Sequence, residues 1–341
     1  MVSDTINRPV LVTGGAGFIG SHLVEDLVRR HAHVTVVDNL SSGHLKNLAA
    51  VIDRVDLRTL DLWWDDLRPV LAEQEFEIIF HLAGYAGIPE SVRDPGQDLE
   101  RNTLATFNVL EAVRHLAPQT RVIFTSSAAV YGEGSCNPFR EDDPTVPGSP
   151  YGVSKLAAER YMDVYARLYG LHTANLRLFP VYGPRLRKHV VYDLMCKVHE
   201  NPHELFIHGD GTQVRDFTHV MNVVDALLLI AERAPLRGEV YNVGAGEPVS
   251  IQDLARMICE TMGVAPRFVY SGSVLPGVSQ RWSADISRLK SLGYEARLGL
   301  AQGLADTFAW FRQEMGLPEQ RPLSVNPGAG TKPGKSSRVN R

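Results

Sequence analysis

The chain has 341 residues, 44% hydrophobic and 22% charged, with a formal net charge of −4. That length holds one large domain with a built-on lobe, or two domains, and the composition is ordinary for a soluble globular protein. The small acidic balance excludes the basic excess of a nucleic-acid binder, and no apolar run reaches the roughly 18 residues of a membrane span.

The three cysteines, Cys136, Cys196 and Cys259, are far apart and show no CxxC spacing. A disulfide framework or zinc site is therefore not expected. The 12 histidines form neither HxxxH nor HExxH, so no metal is expected. Met1 to Arg8 has no long apolar run before a cleavage site, and the chain reads as a cytoplasmic enzyme.

In chain order, Pro9 to Thr13 (PVLVT) is a short apolar run ending in glycines, and Phe18 to Arg30 repeats Ile19, Leu23 and Leu27 at helical spacing. His33 to Val37 is the next strand, ending at Asp38. Glu77 to Leu82, Arg121 to Ser126 and Thr173 to Leu178 are further strands, the last after a helix over Gly152 to Tyr169. Strands alternating with helices predict an α/β fold, a Rossmann-type doubly wound parallel sheet with ligands at the carboxyl ends of its strands. After Phe179 the rhythm breaks, and prolines 180, 184 and 202 with a charged, His-rich stretch predict a smaller C-terminal α/β substrate-binding lobe. Glu239 to Val243 reads as one more strand of the main sheet. Ser250 to Met262 reads as a helix with Ser250 as N-cap and Asp253 at the capping-box position, and Leu300 to Glu314 as a final amphipathic helix. The expected division is 1–179 with 218–246 for the first domain, 180–217 with 247–323 for the lobe, and a disordered tail over 324–341.

Val12 to Gly20 (VTGGAGFIG) lies between the first strand and the first helix, and Gly14, Gly17 and Gly20 give the spacing GxxGxxG. Glycine there permits a tight turn and close backbone approach to a pyrophosphate, with the helix N-terminus offering free amides. Asp38 ends the second strand, where a carboxylate hydrogen-bonds the ribose hydroxyls of NAD and repels the 2′-phosphate of NADP. No Arg follows in Asn39 to Gly43, so NAD is the expected cofactor. Asp61, read as the end of the third strand, is placed to meet the adenine amine or to form a structural turn.

Tyr151 and Lys155 (YGVSK) stand at i, i+4, one turn apart on a helix face. A phenol is too weak a base at neutral pH, and a nearby ammonium together with a positive nicotinamide favours its phenolate. The Ser-rich strand end Thr125 to Tyr131 precedes this pair and brings Ser127 toward the same cleft.

These motifs, with HLAG (His81 to Gly84), VYGPR (Val181 to Arg185) and GDGTQVRDF (Gly209 to Phe217), occur in the order of the extended short-chain dehydrogenase/reductases. Within the NAD-dependent epimerase/dehydratases, the chain most resembles UDP-glucose (UDP-galactose) 4-epimerases. The resemblance covers about Pro9 to Phe311. It implies that Tyr151 takes the proton of the sugar 4-hydroxyl while C4 gives a hydride to NAD. The 4-keto sugar then turns, and the hydride returns to its opposite face. It implies that Lys155 tunes Tyr151 and holds the nicotinamide ribose, that Ser127 bridges to the sugar, and that Asn102 lies near cofactor and substrate. The expected cofactor set is Gly14, Gly17, Phe18, Ile19, Gly20, Asp38, Asn39, Asp61, Leu62, Leu82, Ala83, Gly84, Asn102, Tyr151, Lys155 and Pro180. The expected substrate set is Ser127, Ala128, Tyr151, Arg185, Phe206, His208, Arg215 and Arg281. Arg215 matches the arginine that meets the nucleotide's ribose-diphosphate; its plainer reading is a surface ion pair with Asp216. A homodimer through the helices near Leu99 to Leu116 and Gly152 to Tyr169 is implied as well.

Ala128 and Ala129 stand where the related 4,6-dehydratases carry Asp-Glu and the decarboxylases a Glu, which points to epimerisation or reduction. Asp38 disfavours an NADPH-dependent reductase. The chain also departs from its relatives. Pro180 replaces the Asn of RxFNVYG and has no amide donor. Leu275 to Val278 lacks the usual RxGD, and Asn222 replaces a common Asp. Arg281, or Arg185, Arg187 and Lys188, are the candidates to replace the lost contacts. UDP is favoured, with GDP, dTDP and CDP open. The alternatives to a 4-epimerase are a 2-, 3- or 5-epimerase or reductase, and a non-catalytic NAD-binding protein.

Overall fold

The computed structural model describes residues 8–133, 137–272 and 280–318. Cys136, the Leu275 to Val278 stretch and the tail lie outside them. Seven parallel strands form the main sheet: β1 (Pro9–Thr13), β2 (His33–Val37), β3 (Val55–Arg58), β4 (Ile78–His81), β5 (Arg121–Ser127), β6 (His172–Leu178) and the strand Arg237–Val243. Their order is Arg237–Val243, β6, β5, β4, β1, β2, β3. The order reverses between β1 and β4, and the crevice outside their carboxyl ends is where such sheets bind ligands.

Alternation within β1 divides the core. Val10 and Val12 join Leu23, Leu27, Leu227 and Ile230 on one face, while Leu11 joins Ile79, Val109, Phe124 and Met162 on the other. Both faces are covered, as a parallel sheet requires. A third apolar cluster, including Leu194, Met195, Leu205, Leu254, Ile258 and Phe311, joins helices His189–Glu200, Ile251–Met262 and Leu300–Glu314.

Two local expectations change. The third strand ends at Arg58, and Asp61 opens a turn instead, its carbonyl accepting from Asp65 N at 2.6 Å. Ser250 does cap helix Ile251–Met262, accepting from Asp253 N at 3.0 Å. The Asp253 carboxylate, however, accepts from the Ser250 hydroxyl at 2.6 Å, where a capping box would take the backbone amide.

Two buried histidines make stability pH-dependent. His22 bonds the Pro184 carbonyl oxygen through Nε2 at 3.0 Å, and burial, then the Arg185 charge, lowers its pKa from 6.5 to about 4. Burial likewise lowers His81 to about 3. Between the ordinary value and these, the unfolded chain binds the protons, so this contribution is lost as pH falls below about 6.5. At about pH 5 the His22 share is about 2 kcal/mol. His22→Gln should therefore gain stability relative to wild type on going from about pH 7 to about pH 5. Equal losses in thermal melts of both proteins would refute this.

Candidate active site

The glycine-rich turn follows directly from β1. Gly14 sits at φ 69°, and a side-chain carbon there would meet Ala83 N at 2.7 Å. Only glycine allows this close passage between the ends of β1 and β4. Gly17 N donates to Gly14 O at 3.1 Å, and helix Phe18–Arg29 (α1) starts at Gly17 with no side-chain cap. The first-turn amides of Phe18, Ile19 and Gly20 thus carry the positive end of the helix dipole without a carboxylate or hydroxyl covering it.

Asp38 lies just past β2 and is held rigidly. Its carboxylate accepts from Ala16 N at 2.9 Å and Leu40 N at 2.8 Å, and burial raises its pKa. The His44 charge opposes that rise. Asn39 Nδ2 donates to Asp61 Oδ2 at 2.9 Å, which ties those two polar residues together at the same rim. Leu62 is buried beside them.

Leu82, Ala83 and Gly84 follow β4. Leu82 N donates to Thr13 O at 3.1 Å and Ala83 N to Thr13 Oγ1 at 3.2 Å. Behind them runs a buried chain. Thr13 Oγ1 is 2.7 Å from His81 Nδ1, and His81 Nε2 is 3.0 Å from Thr106 Oγ1, which donates to Asn102 O at 2.6 Å. Since Thr106 gives its proton to Asn102, it accepts from Nε2–H, which assigns His81 as the neutral Nε2–H tautomer. Thr13 lies inside the glycine motif without being one of its spaced glycines, and Thr106, a lone threonine, belongs to no pattern.

Asn102 lies within a π-helical turn, Leu99–Leu104, that leads into helix Ala105–Leu116. Its side chain accepts from Tyr85 N at 3.0 Å and donates to Tyr85 O at 3.1 Å and Asp98 Oδ1 at 2.9 Å. A side-chain carbon at Gly84 would meet Asn102 Oδ1 at 2.7 Å and Lys155 Nζ at 3.0 Å. The missing side chain leaves a polar cradle with an amide on one wall and an ammonium on the other.

Helix Pro150–Tyr169 is launched by Ser149, whose hydroxyl accepts from Gly152 N at 3.2 Å, with Pro150 in its first turn. Tyr151 N donates to Ser91 Oγ at 3.1 Å, which anchors the start of this helix to helix Ile88–Arg93. Lys155 Nζ donates to Thr125 O at 3.0 Å and lies 4.8 Å from the centre of the Phe124 ring. Ser127 ends β5, accepts from Ala129 N at 3.2 Å, and shares a hydrogen bond with the Tyr151 side chain. The structure therefore brings Ser127, Tyr151 and Lys155 to one place.

The electrostatics differ from expectation in one respect. Burial pushes Tyr151 up to about 12; the Ser127 hydrogen bond lowers it, the Asp98 charge raises it, and Lys155 does not shift it. Burial pushes Lys155 down to about 8, against the pull of Asp98 and Glu159. The ammonium faces the Thr125 carbonyl, and Ser127 is the neighbouring group that lowers Tyr151.

The remaining candidates fall in three places. Pro180 follows β6, and its carbonyl accepts from Thr218 N at 2.9 Å. Arg215 stacks over Trp282 at 5.7 Å and donates to Val214 O at 2.7 Å. It makes no ion pair with Asp216, whose carboxylate accepts from the amides of Ala245, Gly246 and Ala284. Trp282 Nε1 donates to Gly132 O at 3.2 Å, which connects Arg215 and the neighbouring Arg281 to the loop after Ser127. Ala128 is buried in that loop. Phe206 and His208 are exposed and meet edge to face, 5.1 Å between ring centres. Arg185 turns elsewhere: its guanidinium pairs with Glu25 at 2.5 Å and donates to Ser21 at 3.0 Å, both on α1. Arg187 pairs with Glu314 at 2.8 Å, and Lys188 donates to Ala86 O at 2.9 Å. Among the described residues no group of three or more His, Cys, Asp or Glu could hold a metal, and no helix is long and apolar enough to cross a membrane.

Comparison with known proteins agrees with this geometry. The family model "NAD dependent epimerase/dehydratase family" matches residues 10–244. A putative UDP-glucose 4-epimerase of Methanocaldococcus jannaschii is 34% identical over 307 residues, covering 89% of this chain and 98% of that protein. The solved UDP-N-acetylglucosamine 4-epimerase of Methanobrevibacter ruminantium, in complex with UDP-N-acetylmuramic acid, superposes with a TM-score of 0.84 at 32% identity. That match covers 90% of this chain and 99% of the other. The Thermus thermophilus UDP-glucose 4-epimerase complex with NAD gives a TM-score of 0.79 at 35% identity, covering 89% and 99%. The uncapped α1 amides, the Gly14 and Gly84 gaps and the anchored Asp38 carboxylate fit NAD. The chain belongs to the NAD-dependent epimerase/dehydratase family of extended short-chain dehydrogenase/reductases, and it is an NAD-dependent nucleotide-sugar epimerase.

Proposed function

We propose that the enzyme is a UDP-hexose 4-epimerase. The observation that carries this reading is the company Ser127 keeps: Tyr151 and Lys155 stand beside it, and the next two residues are the buried Ala128 and Ala129. Dehydration or decarboxylation needs a further acid or base next to the reacting carbons, and two methyl groups supply none. Tyr151 takes the proton of the sugar 4-hydroxyl, Ser127 holds that oxygen in line, and Lys155 keeps positive charge beneath the site. When bound, NAD would supply the acceptor for the C4 hydride and the donor for its return to the opposite face of the turned sugar. Gly14, Gly17 and the α1 amides would hold its diphosphate, Asp38 its adenosine ribose, and Lys155 its nicotinamide ribose. The resulting 4-keto sugar turns over between the two transfers, and Tyr151 gives the proton back.

The nucleotide end is the less usual part. Pro180 offers no amide to a diphosphate, so Arg215, held on Trp282, is the guanidinium that supports nucleotide binding. The test is a panel of UDP-glucose, UDP-N-acetylglucosamine, UDP-glucuronate and the GDP, dTDP and CDP sugars, with products assigned by NMR. A C4 epimer from a UDP-hexose is the expected result. Epimerisation at C2, C3 or C5, net reduction, or turnover confined to another nucleotide would replace the reading.

A homodimer belongs to the same proposal. Val153, Tyr161, Leu168 and Tyr169 are exposed on helix Pro150–Tyr169, as is Leu116 on helix Ala105–Leu116. A second copy would cover such an apolar face. Light scattering on the purified protein should give twice the chain mass, and a monomer would end the idea. Cys196 and Cys259 are free thiols, which suits the cytoplasm.

A further inference from the structure

Beside the catalytic helix lies a carboxylate that the proton transfer does not use. Asp98 closes the short helix Pro95–Asp98, which packs on helix Pro150–Tyr169, and it is fully buried. One oxygen accepts from Asn102 Nδ2 at 2.9 Å; the other has no hydrogen-bond partner. The nearby Ser154 hydroxyl donates to the Tyr151 carbonyl at 3.0 Å. A buried carboxylate oxygen without a donor is costly unless a charge compensates it. The charged side chains around it are Asp94, which caps its own helix, Glu90 and Arg93 on helix Ile88–Arg93, Glu100 and Arg101 beyond Asp98, and Lys155 and Glu159 on helix Pro150–Tyr169, with Arg160, Asp163 and Arg167 further along that helix. His81 on β4 is neutral at ordinary pH. Burial raises the Asp98 carboxyl, and the Ser154 hydroxyl, the Lys155 charge and the Asn102 amide oppose that rise; Lys155 is the one charged group among them.

We propose that Asp98 is a positioning residue of the active site, the buried counter-charge that keeps Lys155 an ammonium and, through Asn102, fixes the Gly84–Tyr85 wall opposite it. This rests on Tyr151 and Lys155 being the proton-transfer pair. The direction of its influence follows from charge alone. A carboxylate beside Lys155 holds the ammonium proton, and a carboxylate beside Tyr151 opposes the phenolate. Both effects are present: Asp98 raises Lys155 and raises Tyr151. Asp98 therefore sets where on the pH scale the pair works, at some cost to the base strength available near neutrality. A residue needed only for packing would lower turnover at every pH alike.

The experiment compares wild type, Asp98→Asn and Asp98→Glu as NAD-bound enzyme. The pH profile of kcat/KM should move to lower pH in Asp98→Asn, both limbs together, by about one unit, a tenfold change in proton affinity. Asp98→Glu, which keeps the charge, should restore the wild-type position. A second reading needs no substrate. The ultraviolet tyrosinate titration of Tyr151, taken as the difference from Tyr151→Phe, should fall to lower pH in Asp98→Asn. Should Asp98→Asn not fold, Asp98→Ser is smaller, equally neutral, and carries the same expectation. Lower turnover with both the profile and the titration unmoved would overturn the assignment. If no sugar on the panel reacts, the 4-epimerase reading fails, yet the titration still decides the role of Asp98.

Discussion

Replacing Tyr151 with Phe is expected to cut turnover by about 10²–10⁴-fold, the usual worth of a positioned acid–base group, while NAD stays bound. The reason is that the three site residues are not interchangeable. Lys155 is a donor whose ammonium is held on the Thr125 carbonyl, and an ammonium cannot accept a proton. Ser127 already accepts from Ala129 N, and an aliphatic hydroxyl is a far weaker acid than a phenol, so its conjugate base is inaccessible. Tyr151 alone can alternate between phenol and phenolate. The Phe ring fills the same space without the oxygen, so helix Pro150–Tyr169 keeps its Ser149 cap and its anchor to Ser91. The loss should appear in kcat, with cofactor affinity, read by NAD fluorescence quenching or calorimetry, within about threefold of wild type. Turnover within a factor of three of wild type would move the base to another residue. Because burial holds the free phenol up at about 12, wild-type kcat/KM should also climb with pH below the point where Lys155 begins to lose its proton.

How far the sequence carries this picture depends on the range of each interaction. Six of the seven strands of the main sheet have a period or an apolar run of their own, so β1, β2 and β4 to β6 and the strand Arg237–Val243 are legible within a residue or two. Glycine and proline act locally as well, which is why the Gly14 turn and the start of the Tyr151 helix can be read before any coordinates. What stays hidden depends on distant partners. Asp61 looks like a strand end because nothing nearby shows that β2 stops pairing β3 at Arg58. Asp98 belongs to no motif, and its burial follows only from the packing of helix Pro150–Tyr169 on its short helix. Arg185 reads as a candidate to replace a lost contact to the nucleotide, and only the chain's return onto α1 shows it paired with Glu25. The π-turn around Asn102 has no local pattern of its own, and the partners of the Asn102 side chain include Tyr85, 17 residues away.

A second large effect lies one turn beyond Lys155. Glu159 receives Arg177 in a fork, Nε to Oε1 at 3.0 Å and Nη2 to Oε2 at 2.8 Å, with side chains 2% and 3% exposed. Arg177 also donates to Glu141 O at 3.0 Å and stacks at 4.8 Å on Tyr131, itself buried against Phe139 and Phe179. The pair thus fastens β6 to the catalytic helix and to the chain after Ser127. Glu159→Gln removes the charge at constant shape and leaves a guanidinium enclosed without its counter-ion. A penalty of about 3–5 kcal/mol is expected, which for a chain of this size is a fall in Tm of about 4–7 °C. Replacing both partners by apolar side chains, Glu159→Leu with Arg177→Met, should recover most of that loss, because it removes the two desolvation costs together. The contrast between the single and double variants is the diagnostic, read by calorimetry. If Glu159→Gln melts within about 2 °C of wild type, water or another acid must reach Arg177, and the catalytic helix is held by packing alone. If instead the double variant is as unstable as the single one, the stacking of Arg177 on Tyr131 contributes more than its charge.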